Sequence, residues 1–350
     1  MNIKNIEQNK VKNRFEHEQL FFAFLSITGV TAIIVLAVIS VCSGNYKTSV
    51  SDVLSALCHP DENTMIFRII IKSRLPRLVS ALLVGAALSV AGWTYQEMFA
   101  NRMVSPDILG VSAGAGCGAS TAILLGCSFS ITSIFSFVGG IIAVTMTLFL
   151  SAVFERNDND SISLILSGIV MGGLLNSFMG IVKYIANDAQ LSSITFWLLG
   201  GFYNVNWEQL SIGIPVMCIG IFILFLFRWK IVMLRHGVED AAIHGINPKA
   251  VKISCIILAT VITSSAVSMS GSIGWVGLAI PNLMRLLVNN DGKHLLPLAL
   301  IYGALFMGTC DLLARCITNT EIPVGIISGL LGAVLFIVVV IFEKIFRRKL

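Results

Sequence analysis

The sequence predicts an all-α, polytopic membrane protein that crosses the bilayer ten times and keeps both termini in the cytoplasm. Hydrophobic residues make up 56% of the 350 and charged residues only 12%, with a mean hydropathy of +0.87. A soluble core cannot bury so large an apolar fraction without leaving wide apolar patches exposed. The apolar residues also form runs long enough to cross a hydrocarbon layer of about 30 Å.

Ten apolar runs have the length of a membrane span. The third is rich in glycine, and the eighth is short and contains Pro281, which should kink or break a helix unless neighbours satisfy the freed carbonyl. These two are the weakest of the set. The predicted spans cover about residues 20–41, 76–98, 107–126, 131–154, 162–185, 209–227, 251–270, 273–288, 295–314 and 324–342.

The distribution of basic residues predicts the orientation. With the N-terminus inside, 17 of the 24 lysines and arginines fall in cytoplasmic segments, as the positive-inside rule requires. Residues 1–19 are then a polar cytoplasmic segment, and residues 20–350 form a single transmembrane domain. The run at 20–41 is too long for the core of a cleaved signal peptide.

Three segments between spans are longer than the rest. The outer segment 42–73 contains SVSDVLSALCH, which predicts a short amphipathic helix capped by a serine or aspartate. The aromatic-rich segment 187–207 is typical of an outer interface. The inner segment 228–252 has an Asn247-Pro248 break before the seventh span.

Several functional classes have no support in the sequence. There is no phosphate-binding Gly-Lys-Ser/Thr loop, no His-Glu-x-x-His pair, no convincing nucleophile with a base, and no Cys-x-x-Cys among the eight cysteines. The chain is therefore predicted not to be an enzyme and to need no metal or cofactor. Its basic residues lie in short segments between spans, which argues against a nucleic-acid partner.

The inner segment carries the first candidate site. Glu239, Ala241, Ala242 and Gly245 predict a short helix with an acidic start, small residues and a glycine stop. Such a helix could be an ordinary capped loop. The length of the segment, in a chain whose other inner loops are short, favours docking of a partner.

Three arginines on the predicted outer side form the second candidate site. Arg74, Arg77 and Arg315 lie at span ends, where arginine can simply extend to lipid headgroups. Asp311 could also pair with Arg315 at i, i+4. Alternatively, the three guanidinium groups receive carboxylates from an extracytoplasmic partner.

Small and polar residues inside the spans are the third candidate site. Gly168, Gly172 and Asn176 share one face of the fifth span, while Ser167 and Gln96 are polar residues within spans. A glycine stripe is usually a helix-packing surface, but it also suits a pore wall that must pass a bulky solute. No buried acid and base lie at relay spacing, which argues against a proton-coupled carrier.

Several stretches together resemble the permease family of ATP-binding-cassette importers for iron-siderophores, haem and cobalamin. The resemblance covers about residues 45–345, and the stretches occur in the family's order. They are RLPR, GAALSVAGWTYQ, SPDILGVSAGAG, WLLGG, GSIGWVGLAIPNLMR, LPLALIYGALFMGTCDLLAR and EIPVGIISGLLG.

The resemblance implies a homodimeric permease of the bacterial cytoplasmic membrane, with two cytoplasmic ATPase subunits and an extracytoplasmic solute-binding protein. It implies that the outer arginines meet the binding protein, the inner loop contacts the ATPases, and the fifth and tenth spans line the path. The expected cargo is a metal chelate, foremost an iron-siderophore. Haem, cobalamin or an oxyanion such as molybdate is the alternative cargo, and an ion-coupled secondary carrier is the rival class.

The sequence departs from the family pattern at a few positions. Arg102, Met103 and Val104 stand where the family usually has Pro-Leu-Ala, Asn282 replaces the usual histidine after Pro281, and Val334 replaces a proline. These departures concern local helix geometry and the cargo.

Overall fold

Every regular element in the described part of the chain is a helix. The computed structural model describes residues 3–44, 48–58, 64–154, 160–236, 241, 243–288, 292–318 and 320–347. A π-helical turn, Ile70–Arg74, leads directly into α4, and a 3-10 turn, Pro106–Leu109, precedes α5. The helices are α1 (Ile3–Cys42), α2 (Val50–Cys58), α3 (Thr64–Ile69), α4 (Leu75–Met98), α5 (Val111–Leu124), α6 (Phe129–Phe154), α7 (Asp160–Ile185), α8 (Asp188–Leu199), α9 (Trp207–His236), α10 (Pro248–Ser270), α11 (Val276–Leu287), α12 (Gly292–Cys316) and α13 (Val324–Arg347).

Eight helices in the described part of the chain are long and apolar enough to cross a membrane. They lie at eight of the ten predicted spans. The third and eighth predicted spans are the shorter apolar helices α5 and α11. The prediction of a polytopic all-helical protein is therefore confirmed, whereas the count of ten crossings and the cytoplasmic termini stay predictions.

Helix α4 is the centre of the bundle and packs against α9, α10, α11 and α12. Nearly all of its residues from Leu78 onward are buried, including Trp93 and Tyr95. The Tyr95 hydroxyl lies 2.9 Å from Thr260 Oγ1 on α10. This pairing satisfies a buried polar group that would otherwise be costly in the apolar interior.

Glycines allow the central helices to touch backbone to backbone. A Cβ placed on Gly92 would lie 2.0 Å from the carbonyl oxygen of Gly277 on α11, and one on Gly85 would lie 2.2 Å from that of Gly303 on α12. The glycine stripe of α5 behaves in the same way, because Gly114 and Gly118 pack against α6. Glycines at this spacing let two helices approach closely, because they carry no side chain.

The structure corrects two boundaries. Helix α9 continues to His236, so the inner connection before α10 begins later than the predicted 228–252 segment. The predicted interface segment 187–207 contains a regular helix, α8. Asn187 and Gln190 cap the N-terminus of this helix with a reciprocal capping box. A strong cap therefore signalled a helix that the apolar pattern did not.

Candidate functional site

Arg77 and Arg315 share one carboxylate on the predicted outer side. Arg77 Nε lies 2.8 Å from Asp311 Oδ1, and Arg315 Nη2 lies 3.1 Å from Asp311 Oδ2. Arg77 Nη1 also lies 2.7 Å from Glu321 Oε2, whose side chain is 40% exposed. The local pair anticipated between Asp311 and Arg315 is thus present, and α4 adds a second arginine to it.

Arg74 is held separately, by groups at the end of α1 and the start of the next segment. Its Nη1 donates to the carbonyl of Val41 and, at 2.7 Å, to Thr48 Oγ1. Arg315 makes a comparable bond, with Nη2 2.6 Å from Ser40 Oγ. All three arginines are buried, so within this chain they join helices together, and their role in docking another protein stays a prediction.

A second buried charge pair lies at the opposite end of α4. Arg285 Nη2 of α11 is 2.7 Å from Glu97 Oε1, with the two side chains 4% and 2% exposed. Arg285 Nη1 also donates to the side-chain oxygens of Gln96 and Asn282. Charge-assisted bonds of this kind compensate two ions that would be costly to bury singly.

Two departures from the family pattern meet at this network. Asn282 Nδ2 donates to the backbone carbonyl of Arg102 at 2.9 Å, and Arg102 Nη1 lies 2.7 Å from Glu343 Oε1 on α13. The corner after α4 is thereby tied to both α11 and α13.

Gln96 explains why α11 continues through Pro281. Proline at 281 cannot donate to the carbonyl of Gly277, four residues earlier. Gln96 Nε2 donates to that carbonyl at 3.2 Å instead. Gln96 is only 2% exposed and lies in the contact between α4 and α11, and its pore-lining role stays a prediction.

Three of the predicted pore residues do line a common space. Gly168, Gly172 and Asn176 border a cavity of about 510 Å³ together with Asp107 and Ser272, which we call the α7 cavity. A Cβ on Gly172 or on the neighbouring Gly173 would meet no atom within 4 Å, whereas one on Gly168 would strike the carbonyl of Ile108. On α7, Gly168 therefore packs against the turn before α5, whereas Gly172 borders open space in the cavity. The fourth residue, Ser167, is fully buried and is not among the residues that border this cavity.

A larger cavity of about 690 Å³ lies next to α8. Arg77, Gln190, Trp197, Tyr203 and Glu321 are among its lining residues, and we call it the α8 cavity. It was not anticipated, because its wall comes from four separate parts of the chain. Burial raises the pKa of the Tyr203 hydroxyl.

The C-terminal ends of α8 and α10 and the start of α13 meet in one place. Gly201 N donates to Ser270 O at 2.7 Å, and a Cβ on Gly325, at the start of α13, would lie 2.1 Å from Leu199 O. Gly200 and Gly271 have positive φ. Irregular backbone inside a membrane protein is stable only where protein buries it or where it borders a water-filled space.

Two of the four predicted coupling residues, Glu239 and Ala242, lie outside the described residues. Of the other two, Ala241 is fully buried, and its carbonyl accepts a bond from Ile246 N at 3.0 Å. Gly245 has φ +72°, which is the left-handed conformation that stops a helix. A helical stop at Gly245 is thus confirmed, and contact with an ATPase stays a prediction.

Residues 32–342 match the FecCD transport family. The chain belongs to the FecCD family. A molybdate import system permease of Haemophilus influenzae is 34% identical over 89% of this chain and 94% of that protein. A permease of Helicobacter pylori named for iron chelatin transport is 34% identical over 87% of this chain and 94% of its own length.

A solved structure agrees with this membership. A metal-chelate type ABC transporter in an inward-facing conformation matches with a TM-score of 0.81 and 32% identity, over 91% of this chain and 99% of that one. The FecCD family comprises permease subunits, which are not themselves enzymes. Together with the eight apolar helices, bacterial permease relatives such as that of Helicobacter pylori identify the chain as a multi-pass protein of the bacterial cytoplasmic membrane.

Proposed function

We propose that this FecCD protein is the permease subunit of an ATP-driven importer and that its cargo is a metal chelate, foremost an iron-siderophore. The observation that supports this cargo is the α7 cavity. Its volume of about 510 Å³ falls in the range of sites for whole organic molecules, about 300–1,000 Å³. A single desolvated ion would need far less space and a closer set of ligands.

The alternative cargoes remain haem, cobalamin and molybdate. Relatives named for molybdate and for iron chelatin are equally similar to this chain at 34% identity, and a relative from Yersinia pestis named for hemin is 29% identical. Overall similarity therefore does not discriminate among these cargoes. A secondary carrier is the weaker class, because the described residues that border the α7 cavity include no paired acid and base.

We propose the partners that the family implies: a second copy of the chain, two cytoplasmic ATPase subunits and an extracytoplasmic binding protein. Helix α7 presents large apolar side chains outward, including Ile169, Leu174 and Phe178. In a two-fold dimer this face would meet its own copy, so that the α7 cavities of both copies would border one path. The remainder of the bundle surface would contact lipid.

The test of the proposed function is reconstitution of the chain with its ATPase and binding-protein partners in vesicles. We expect uptake of a ferric trihydroxamate to require ATP inside and the binding protein outside. Uptake that persists without the ATPase would contradict the proposal and favour a secondary carrier.

The coupling loop can be tested in the same vesicles. Glu239→Arg combined with Ala242→Trp is expected to reduce ATP-dependent uptake to background, because charge and bulk would disturb a small-residue docking surface. Glu16→Arg is the control, since Glu16 is exposed and lies on the same predicted side. Normal uptake in the double variant, with the ATPase still co-purifying, would show that the loop is not the docking site.

The docking role of Arg77 can be tested without replacing the arginine or its bond to Asp311. If Arg77 receives a carboxylate from the binding protein, Glu321 competes for it, because Glu321 occupies Arg77 Nη1 at 2.7 Å. Glu321→Gln is then expected to tighten docking about threefold and to make it more salt-sensitive.

The matched control is Glu208→Gln, which removes an exposed carboxylate elsewhere on the predicted outer side. Surface plasmon resonance at two salt concentrations measures the dissociation constants. Equal effects of the two variants would attribute the change to net charge alone and would contradict a docking role for Arg77.

A further inference from the structure

The α7 cavity has an unbalanced charge. Asp107 is the one ionisable side chain among the described residues that border it, and those residues include no lysine, arginine or histidine. The remaining polar groups, on Ser112, Asn176 and Ser272, are neutral. The α8 cavity differs, because its Arg77 is already neutralised by Asp311 and Glu321.

The carboxylate of Asp107 is held at the cavity wall by local structure. It lies on the 3-10 turn Pro106–Leu109, which Gly110 ends with φ +81°. Ser112, in the first turn of α5, donates its hydroxyl to Asp107 Oδ1, and the N-terminal end of α5 favours a negative charge nearby. The Asp107 side chain is exposed to the cavity. Desolvation by the surrounding protein raises the pKa of its carboxyl group, and the hydrogen bond from Ser112 lowers it. A solute in the cavity would experience the charge of the ionised form.

We propose that Asp107 makes the α7 cavity selective for cargo of zero or positive net charge and that it opposes the passage of anions. The inference rests on the proposed function for the identity of the cargo as a metal chelate. It divides the candidate cargoes by charge: neutral and cationic chelates are favoured, and oxyanions such as molybdate and polyanionic chelates are disfavoured. If two copies border one path, two carboxylates act on the same solute.

The physical basis is Coulomb repulsion in a space with little water. An anion within several ångströms of a carboxylate is repelled strongly at the effective dielectric of a partly buried site. The described residues of the wall include no basic side chain that could offset this repulsion. The partial positive charge at the start of α5 opposes it only weakly, because Asp107 lies beside that helix end. An anion-conducting wall would instead be expected to carry a basic side chain or a convergent set of N–H donors.

The first test needs no knowledge of the cargo. A cysteine is introduced at the cavity wall as Asn176→Cys in the full-length protein in lipid nanodiscs. Its rates of modification by a cationic trimethylammonium-ethyl thiosulfonate and by an anionic sulfonatoethyl thiosulfonate are compared. The reaction is followed by mass spectrometry of the peptide that contains residue 176. Because modification of other cysteines appears in other peptides, the native cysteines can stay in place.

The ratio of the cationic to the anionic rate is expected to fall about tenfold when Asp107→Asn is added. Asp107→Glu, which keeps the charge, should preserve the ratio. Gly173→Cys provides a second reporter, because a side chain at Gly173 meets no atom within 4 Å. It also gives a reading if Asn176→Cys folds poorly.

Either of two results would overturn the proposal. An unchanged ratio of the two rates in Asp107→Asn would show that the carboxylate does not set the electrostatic potential at the cavity wall. Failure of both reagents to modify both reporter positions would show that the cavity does not admit solutes.

A second test uses transport of one ferric trihydroxamate scaffold whose terminal amine is free, acetylated or succinylated, and which is therefore cationic, neutral or anionic. Because each probe is compared between wild type and Asp107→Asn, the preference of the binding protein cancels. The variant is expected to raise anionic uptake about tenfold relative to neutral uptake. ATP-dependent uptake with an unchanged ratio rejects the charge selectivity alone, whereas uptake independent of ATP rejects the proposed function.

Discussion

Gly92→Ala is expected to destabilise the permease by about 3 kcal/mol or more, a large effect for a single methyl group. The added Cβ would lie 2.0 Å from the Gly277 carbonyl oxygen and 2.5 Å from Gly277 Cα. These are backbone atoms of α11 and cannot rotate away, so α4 and α11 must separate. Separation would also break the bond from Gln96 to the Gly277 carbonyl. The loss of stability is measured by heating the purified protein in detergent and by using size-exclusion chromatography to quantify the fraction that stays folded.

The matched control is Gly180→Ala on α7. A Cβ there meets no atom within 4 Å, and alanine favours a helix over glycine by up to about 1 kcal/mol. We therefore expect Gly180→Ala to be neutral or slightly stabilising. Equal melting temperatures for the two variants would contradict the backbone contact between α4 and α11.

Arg285→Met is the second substitution with a large expected effect. It would leave the Glu97 carboxylate buried without its 2.7 Å partner, and breaking a buried ion pair on one side typically costs about 3–5 kcal/mol. We expect the variant to express poorly or to unfold at a much lower temperature. Glu97→Gln in the same chain should recover a large part of the loss, because no uncompensated charge then remains.

Arg102→Met is the control for that experiment. The side chains of Arg102 and Glu343 are 39% and 31% exposed, and pairs of this kind contribute at most about 1 kcal/mol. The backbone carbonyl of Arg102, which accepts from Asn282, is retained in this variant. A failure of Glu97→Gln to rescue Arg285→Met would show that the arginine acts mainly through Gln96 and Asn282.

Much of the helical framework was predictable because it depends on local composition. The predicted span 131–154 became α6, which begins at Phe129, and the predicted span 324–342 became α13, which begins at Val324. The helix expected in SVSDVLSALCH is α2, and Ser49 caps it by accepting from Asp52 N at 3.1 Å. Apolar length and capping residues act over a few turns, so they can be recognised without knowing which helices become neighbours.

The candidate site was predictable only in part. Gly168, Gly172 and Asn176 were expected at a pore wall because their spacing puts them on one helix face, and they border the α7 cavity. Asp107 was missed as a member of that wall, although it lies within the quoted SPDILG stretch. Its position depends on how the 3-10 turn before α5 packs against α7, and no spacing within one helix reports such a contact.

The sequence by itself determined that this chain is an all-helical membrane protein of the FecCD type, since span length, glycine spacing and ordered motifs are properties of single segments. Only the tertiary structure decided which polar groups satisfy one another. Arg77 finds Asp311 across 234 positions, Arg285 finds Glu97 across 188, and Gln96 finds the carbonyl that Pro281 leaves free. In an apolar interior each buried polar group needs a partner, and that partner is set by which helices the backbone contacts bring together.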